Sequence, residues 1–241
     1  MIRFFSLAAG LAIAATGAQA QGFDGATFGL HTTSVEVEDL GDFTLLSLSG
    51  DVAYSFGALG VQAGLNRVSD AEADADFGTV ADYTGIDLHL YHDARADLRL
   101  AVFASFDDFG DTESRALGAE ALWTPGNFRL EGRVASFHED PLDGWLYDFA
   151  AEAEIAPGLS PYLRLRRNIY DGDNGYYSRT EFGLSYRPVE TLEIHGSLGS
   201  STNDFGDGYS EAESTASIGL RLHFGGSGDG TDRLFRYTGF Y

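Results

Sequence analysis

Along much of the chain an apolar residue stands at every second position. In "GIDLHLY", Ile86, Leu88 and Leu90 alternate with Asp87 and His89. In "ADLRLAVFASF", Leu98, Leu100, Val102, Ala104 and Phe106 share one parity, while Arg99, Ala101, Phe103 and Ser105 share the other. "NFRLEGRVASF" sets Phe128, Leu130 and Val134 against Arg129, Glu131 and Arg133, and "SPYLRLRRN" sets Leu163 and Leu165 against Arg164 and Arg166. "YDFAAEAEIA" and "SIGLRLHF" repeat the pattern. Period-two alternation marks β-strands with two different environments, one for each face.

Acidic segments punctuate these runs: "EVEDLGD" (36–42), "DAEADAD" (70–76), "DDFGDTE" (107–113), "EDPLD" (139–143), "DGD" (171–173) and "DFGDGYSEAE" (204–213). Between them fall short turn signals rich in Gly and Pro: "FGALG", "HDARAD", "TPGN", "APGLS" and "RPVE". Such residues supply the dihedrals of tight turns. The chain thus divides into twelve segments, with long acidic loops and short turns in strict alternation. A repeat of about 33 residues often means a solenoid; here each unit reads as strand, loop, strand, turn.

A soluble β-sandwich also alternates, with its polar face in water. Connection asymmetry and segment length favour a membrane barrel instead. So do aromatics near both strand ends: Tyr54, Phe56, Trp123, Phe128 and Tyr186 beside the turns, and Phe43, Phe77, Tyr83, Phe106, Phe137, Trp145, Tyr147, Tyr170, Tyr176 and Tyr177 beside the acidic segments. In hydrocarbon every backbone polar group must be paired, so such a sheet must close on itself. The expectation is an all-β, transmembrane, antiparallel up-and-down barrel of about 12 strands over residues 21–224, with both ends on the short-turn side.

The flanks read differently. Residues 1–20 carry a positive start ("MIR"), an apolar run too short to span a bilayer and an Ala-Gln-Ala cleavage site, the marks of a cleaved signal peptide. Residues 225–241, "GGSGDGTDRLFRYTGFY", read as a Gly-rich linker and an aromatic tail. That tail has three candidate fates: tucking into the mouth, pairing locally, or presenting Phe240 and Tyr241 to the assembly machinery.

Charge narrows the partners. The chain has 37 acids, 15 Arg and no Lys, a formal net charge of −22. Nucleic acid, which needs a basic surface, is excluded as a partner. The six acidic segments hold 21 of the acids and no Arg, so the excess charge lies in the connections. "DGDNGYYSRTEF" fails as a calcium loop, with Tyr176 where Gly is needed and Phe182 where Glu is needed. The His residues lack metal spacing, no cofactor motif is present, and without Cys there is neither disulfide nor thiolate chemistry. No metal and no cofactor are expected.

"LSLSGDVAYSFGALGVQAGLN" (46–66) resembles a porin hairpin. "SIGLRLHF" resembles the outer-membrane assembly signal, with Ser217, Gly219, Leu222 and Phe224 in its fixed places. The whole pattern resembles the Gram-negative outer-membrane porins and porin-like β-barrels. That resemblance implies export to the cell outer membrane, contact with its lipid and with the assembly machinery, and passage of small hydrophilic solutes or ions. It leaves a homo-oligomer open. The signal normally closes the chain, whereas here seventeen residues follow it.

By parity the candidate pore-lining residues are Arg99, Arg129, Glu131, Arg133, Asp148, Glu152, Glu154, Arg164, Arg166, Arg179, Glu181, Glu193, His195 and Arg221. They fit a channel with a transverse field; the alternative is an interior cross-linked by its own ion pairs. Two other classes remain: a structural or adhesive barrel, and a lipid hydrolase. For the latter, His195-Gly196-Ser197 resembles the His-x-Ser pair of outer-membrane phospholipase A. Leu192, Ile194 and Leu198 claim the lipid face, which turns His195 and Ser197 toward the lumen, and no Asn partner is near. No catalytic residue is assigned.

Overall fold

The computed structural model describes residues 22–37, 41–70, 83–110, 112–172, 174–206, 209–225 and 234–236. The expected signal peptide lies outside the described residues, as does most of the 225–241 tail, Phe240 and Tyr241 included.

Twelve strands form one closed antiparallel barrel. They are β1 (Phe23–Val37), β2 (Gly41–Phe56), β3 (Leu59–Asp70), β4 (Tyr83–Arg95), β5 (Leu98–Asp108), β6 (Glu113–Trp123), β7 (Phe128–Glu139), β8 (Leu142–Ala153), β9 (Leu159–Tyr170), β10 (Tyr176–Val189), β11 (Leu192–Asp204) and β12 (Ser210–Phe224). Each strand pairs with its sequence neighbour, and β12 returns to β1 to close the ring. At that seam Ser217 faces Thr33, Gly219 faces His31, Leu222 faces Phe28 and Phe224 faces Ala26. The segment that resembles an assembly signal is therefore part of the closing strand.

The dimensions suit a bilayer. The shortest strands have 11 residues; at about 3.3 Å per residue and a tilt of about 40°, they rise about 28 Å along the barrel axis, slightly more than the apolar band of such barrels. Twelve strands about 4.8 Å apart at that tilt close at a backbone diameter of about 24 Å.

Period two sorts the faces. Leu88, Leu117, Leu165, Phe182, Leu198 and Ile218 project outward and stay exposed, as do Phe56, Trp123, Phe128 and Tyr186 at the short-turn end and Phe106, Trp145 and Tyr147 at the other. Their intervening neighbours, among them Asp87, His89, Arg99, Glu120, Asp148 and Arg166, are buried inside. An apolar exterior around a charged interior inverts the soluble arrangement, and with every strand paired no sheet edge meets lipid.

Two expectations need correction. The acidic connections are not uniformly long: two residues join β7 to β8, four join β5 to β6, and five join β9 to β10 and β11 to β12. Only residues 71–82, between β3 and β4, form a longer connection. Many acids taken for loop residues, including Asp107, Asp108, Glu113, Glu139, Glu211 and Glu213, are the ends of strands. Where a barrel strand continues past the hydrocarbon its outer face meets water, which suits the exposed Asp108 and Glu113, whereas Asp107 turns inward and is buried. The second correction concerns aromatics. Tyr83 and Phe137 face inward rather than joining a belt, and Phe137 packs with Phe103, Ala116, Ala135 and Leu146 inside the barrel. This apolar cluster fills part of the lumen beside β5–β8.

Candidate functional site

The lumen is built by register. Asp148 on β8 stands directly opposite Arg133 on β7 and Arg166 on β9, with Arg164 two residues further along β9. All three guanidinium groups donate to the one carboxylate: Arg133 at 2.8 Å, Arg164 at 2.6 Å and Arg166 at 3.1 Å to Oδ2. Arg133, Arg166 and Asp148 are almost wholly shielded. Around the wall Arg179 pairs with Glu181 at 3.2 Å, and the Tyr162 hydroxyl also donates to Glu181. On β11, Glu193 receives Arg221 at 2.7 Å and Arg187 at 3.1 Å, with His223 at 3.4 Å.

The opposite wall is acidic. On β4, Asp87 and His89 sit two residues apart on the inner face, and the imidazole bridges Asp87 (2.7 Å) to Glu120 of β6. The ring thus has a carboxylate oxygen at each of its nitrogens and links β4 to β6. Asp51 accepts from Thr27 at 2.9 Å and from Gln62 at 3.3 Å, and Tyr83 donates to Asp107. Near the short turns Arg99 spans Asp93 (2.8 Å) and Asp24 (3.4 Å), with its guanidinium 3.7 Å from the Tyr91 ring centre.

Between these walls lies a cavity of about 420 Å³, lined among others by His31, Asp51, Arg164, Arg179, Glu181 and Arg221. It follows β1–β3 and β9–β12, because the Phe103–Phe137 cluster occupies the other side. Leu234 and Arg236 of the tail also line it. Polar atoms of Asn66, Glu120 and His195 are buried without a protein hydrogen-bond partner.

Thirteen of the fourteen candidate lining residues project into the barrel: Arg99, Arg129, Glu131, Arg133, Asp148, Glu152, Arg164, Arg166, Arg179, Glu181, Glu193, His195 and Arg221. Glu154 does not. It follows the end of β8, is exposed, and accepts the Gly158 amide at 2.9 Å across the β8–β9 turn. Parity failed there because the strand had already ended. Asp51, Gln62, Asp107 and Glu120 also face the interior beyond the fourteen candidates; the first, second and fourth sit at inward parity in "SGDVAY", "GVQAG" and "LGAEALW".

The hydrolase arrangement is absent among these residues. The Ser197 hydroxyl pairs with that of Ser217 at 2.6 Å, and the His195 ring lies edge-on to His31 with centres 6.2 Å apart. Both line the lumen wall, away from lipid. Three or more His, Cys, Asp or Glu residues grouped to hold a metal ion are also lacking among the described residues.

Taken together, fold and interior define a transmembrane β-barrel with a charged, partly open lumen. Solved structures of that class are similar to it. The KdgM porin in complex with disordered oligogalacturonate aligns over 83% of this chain and 99% of its own, at 9% identity and a TM-score of 0.60. An outer-membrane channel from Pseudomonas putida F1 aligns over 83% and 96%, at 14% identity and a TM-score of 0.56. Outer-membrane phospholipase A from Escherichia coli aligns over 80% and 89%, at 14% identity and a TM-score of 0.57. At these identities the likeness is one of fold. No protein-family model and no curated protein sequence matches the chain.

Proposed function

We propose that the protein is a porin-like channel of the outer membrane through which small hydrophilic solutes and ions diffuse passively, without a chemical step. The observation that carries this reading is the cavity running along a wall of Arg, Asp and Glu side chains inside an apolar-coated barrel. Arg164, Arg179 and Arg221 face it together with Asp51, Glu181 and Glu193, so its lining is mixed in sign. A transverse field of this kind orients polar solutes without rejecting either sign. The channel is accordingly weakly charge-selective, in contrast to what the acidity of the whole chain suggests. Similarity in fold to porins and channels supports the reading, as does the seam strand with the form of an assembly signal. Lipid hydrolysis is disfavoured by the placement of His195 and Ser197.

The test is conductance in planar bilayers under a salt gradient. Stepwise currents with a reversal potential near zero are expected. A folded, heat-modifiable barrel that gives no steps, either as the full wild-type chain or with its tail expelled as described next, refutes the channel.

A further inference from the structure

Eight residues beyond β12 and Gly225, the chain is found again inside the barrel. Leu234 and Phe235 are almost completely buried there, at 1% and 0% exposure. Leu234 and Phe235 belong to an apolar cluster with Ala53, Tyr91, Ala101 and Leu122, contributed by β2, β4, β5 and β6. The Phe235 ring stacks on the His89 imidazole, with centres 5.4 Å apart and planes 8° from parallel.

The polar contacts are equally specific. Gln62 reads the Phe235 backbone with both halves of its amide: Nε2 donates to the carbonyl at 2.8 Å, and Oε1 accepts the N–H at 3.0 Å. Arg129 donates to the Leu234 carbonyl at 2.5 Å. The Arg236 guanidinium pairs with Glu152 at 3.0 Å and approaches Glu193 at 3.9 Å, while its N–H points to Glu131 at 3.4 Å. Four strands, β3, β7, β8 and β11, thus present donors and acceptors to three consecutive residues, in addition to the apolar pocket. A buried glutamine amide that pairs with both the N–H and the C=O of one residue is chemistry for peptide recognition; a lumen merely filled by apolar collapse has no use for it.

We propose that the lumen contains a peptide-binding seat selective for an apolar–aromatic–arginine sequence, and that the chain's own Leu234-Phe235-Arg236 is its resident, displaceable occupant. The proposal rests on the channel reading only for its consequence, which is partial closure. Side chains leave about half of the 24 Å backbone diameter free, and an extended segment with its side chains is about 10 Å thick. Occupied, the seat narrows the short-turn half of the lumen; vacated, it opens it.

Two experiments test this, one of which does not depend on conduction. The full-length Leu234→Glu/Phe235→Glu double variant forces two carboxylates into the apolar cluster of Ala53, Tyr91, Ala101 and Leu122, and that desolvation cost expels the tail. Its unitary conductance should rise about three-fold or more, given the thickness of the displaced segment. In detergent, a fluorescein-labelled peptide of residues 231–238, Thr-Asp-Arg-Leu-Phe-Arg-Tyr-Thr, should bind this variant but not the occupied wild type, and a scrambled peptide should bind neither. Adding Gln62→Leu to the double variant should abolish peptide binding. Equal conductance of wild type and double variant overturns the plug. Failure of the peptide to bind the vacated barrel, or binding indifferent to Gln62→Leu, overturns the seat whether or not the barrel conducts.

Discussion

Replacing Asp148 with Asn keeps the shape of the side chain and removes the one negative charge that Arg133, Arg164 and Arg166 share. At an effective dielectric of about 20, each contact pair is worth about 4 kcal/mol, so the three attractions total about 12 kcal/mol. Guanidinium groups sharing one carboxylate lie roughly 6 Å apart, and their three mutual repulsions then sum to about 8 kcal/mol. The cluster is held together by a modest margin, and removing the carboxylate leaves the repulsion alone. Side-chain rearrangement and lumen water relieve part of it, leaving a net cost of about 3–5 kcal/mol, the usual penalty for breaking a buried ion pair from one side. For a barrel of this length that lowers the unfolding midpoint by on the order of 10 °C.

The assay is the temperature at which the folded band on a gel converts to the unfolded one. Reversal potential should shift at the same time toward anion preference, because the lumen gains one positive charge. Asp148→Asn/Arg166→Gln should recover part of the lost stability, since one repelling cation has gone. An Asp148→Asn barrel with the wild-type midpoint and reversal potential would refute the reasoning, as would a double variant less stable than the sum of its parts.

Two further outcomes follow from closer contacts. A Cβ at Gly219 would stand 2.5 Å from the His31 Cβ and 2.6 Å from the His195 Nε2, across the seam and its neighbour; Gly219→Val should therefore cost about 1–3 kcal/mol and reduce the heat-modifiable fraction, with His31→Gly restoring some of it, whereas wild-type assembly of Gly219→Val would show the contact to be unimportant. In the β4–β5 turn, outside the strands, the Trp123 indole donates to Asp97 at 2.9 Å, and this bond, helped by Arg95, holds the Asp97 carboxyl below its ordinary range. A carboxylate depressed in the folded state stabilises the turn above its unfolded value and loses that contribution only as pH falls through the lower one. In a Trp145→Phe variant, Trp123 emission should stay flat down to about pH 4 and change only below it; a midpoint at or above that value contradicts the assignment.

How far the chain announces this arrangement depends on the range of the signal. Alternation in "GIDLHLY" and "NFRLEGRVASF" is a two-residue signal, and it assigns lipid and lumen faces correctly wherever the strand persists. Strand ends obey a different rule: parity alone carries Glu154 one step past the end of β8, and local acidity alone makes a loop of Asp107, which lies in β5. Inward aromatics such as Phe137 mislead for a related reason: tyrosine and phenylalanine suit both an interface and a crowded interior. The three-to-one convergence on Asp148 needs two registers, β7–β8 and β8–β9, which hydropathy does not encode. Least legible is the meeting of Gln62 with Phe235, 173 positions apart, where nothing local marks either residue as a partner.

The seam also dictates an order of events. Phe224 ends β12 at the short-turn end, where His223 donates its backbone N–H to Thr191 at 3.0 Å. Gln62, Arg129, Glu152 and Glu193 all lie within a few residues of the turns at that same end. Nine residues, 225–233, connect Phe224 to Leu234, a reach of at most about 32 Å. That is enough to fold back into the same opening. Yet the groups that receive Leu234-Phe235-Arg236 come from β2 through β11, and they surround a single space only when β12 has zipped onto β1. Insertion of the tail is thus a molecular receipt for circularisation: a half-zipped sheet has nowhere to put it, and protease protection of that segment would time-stamp the last step of biogenesis.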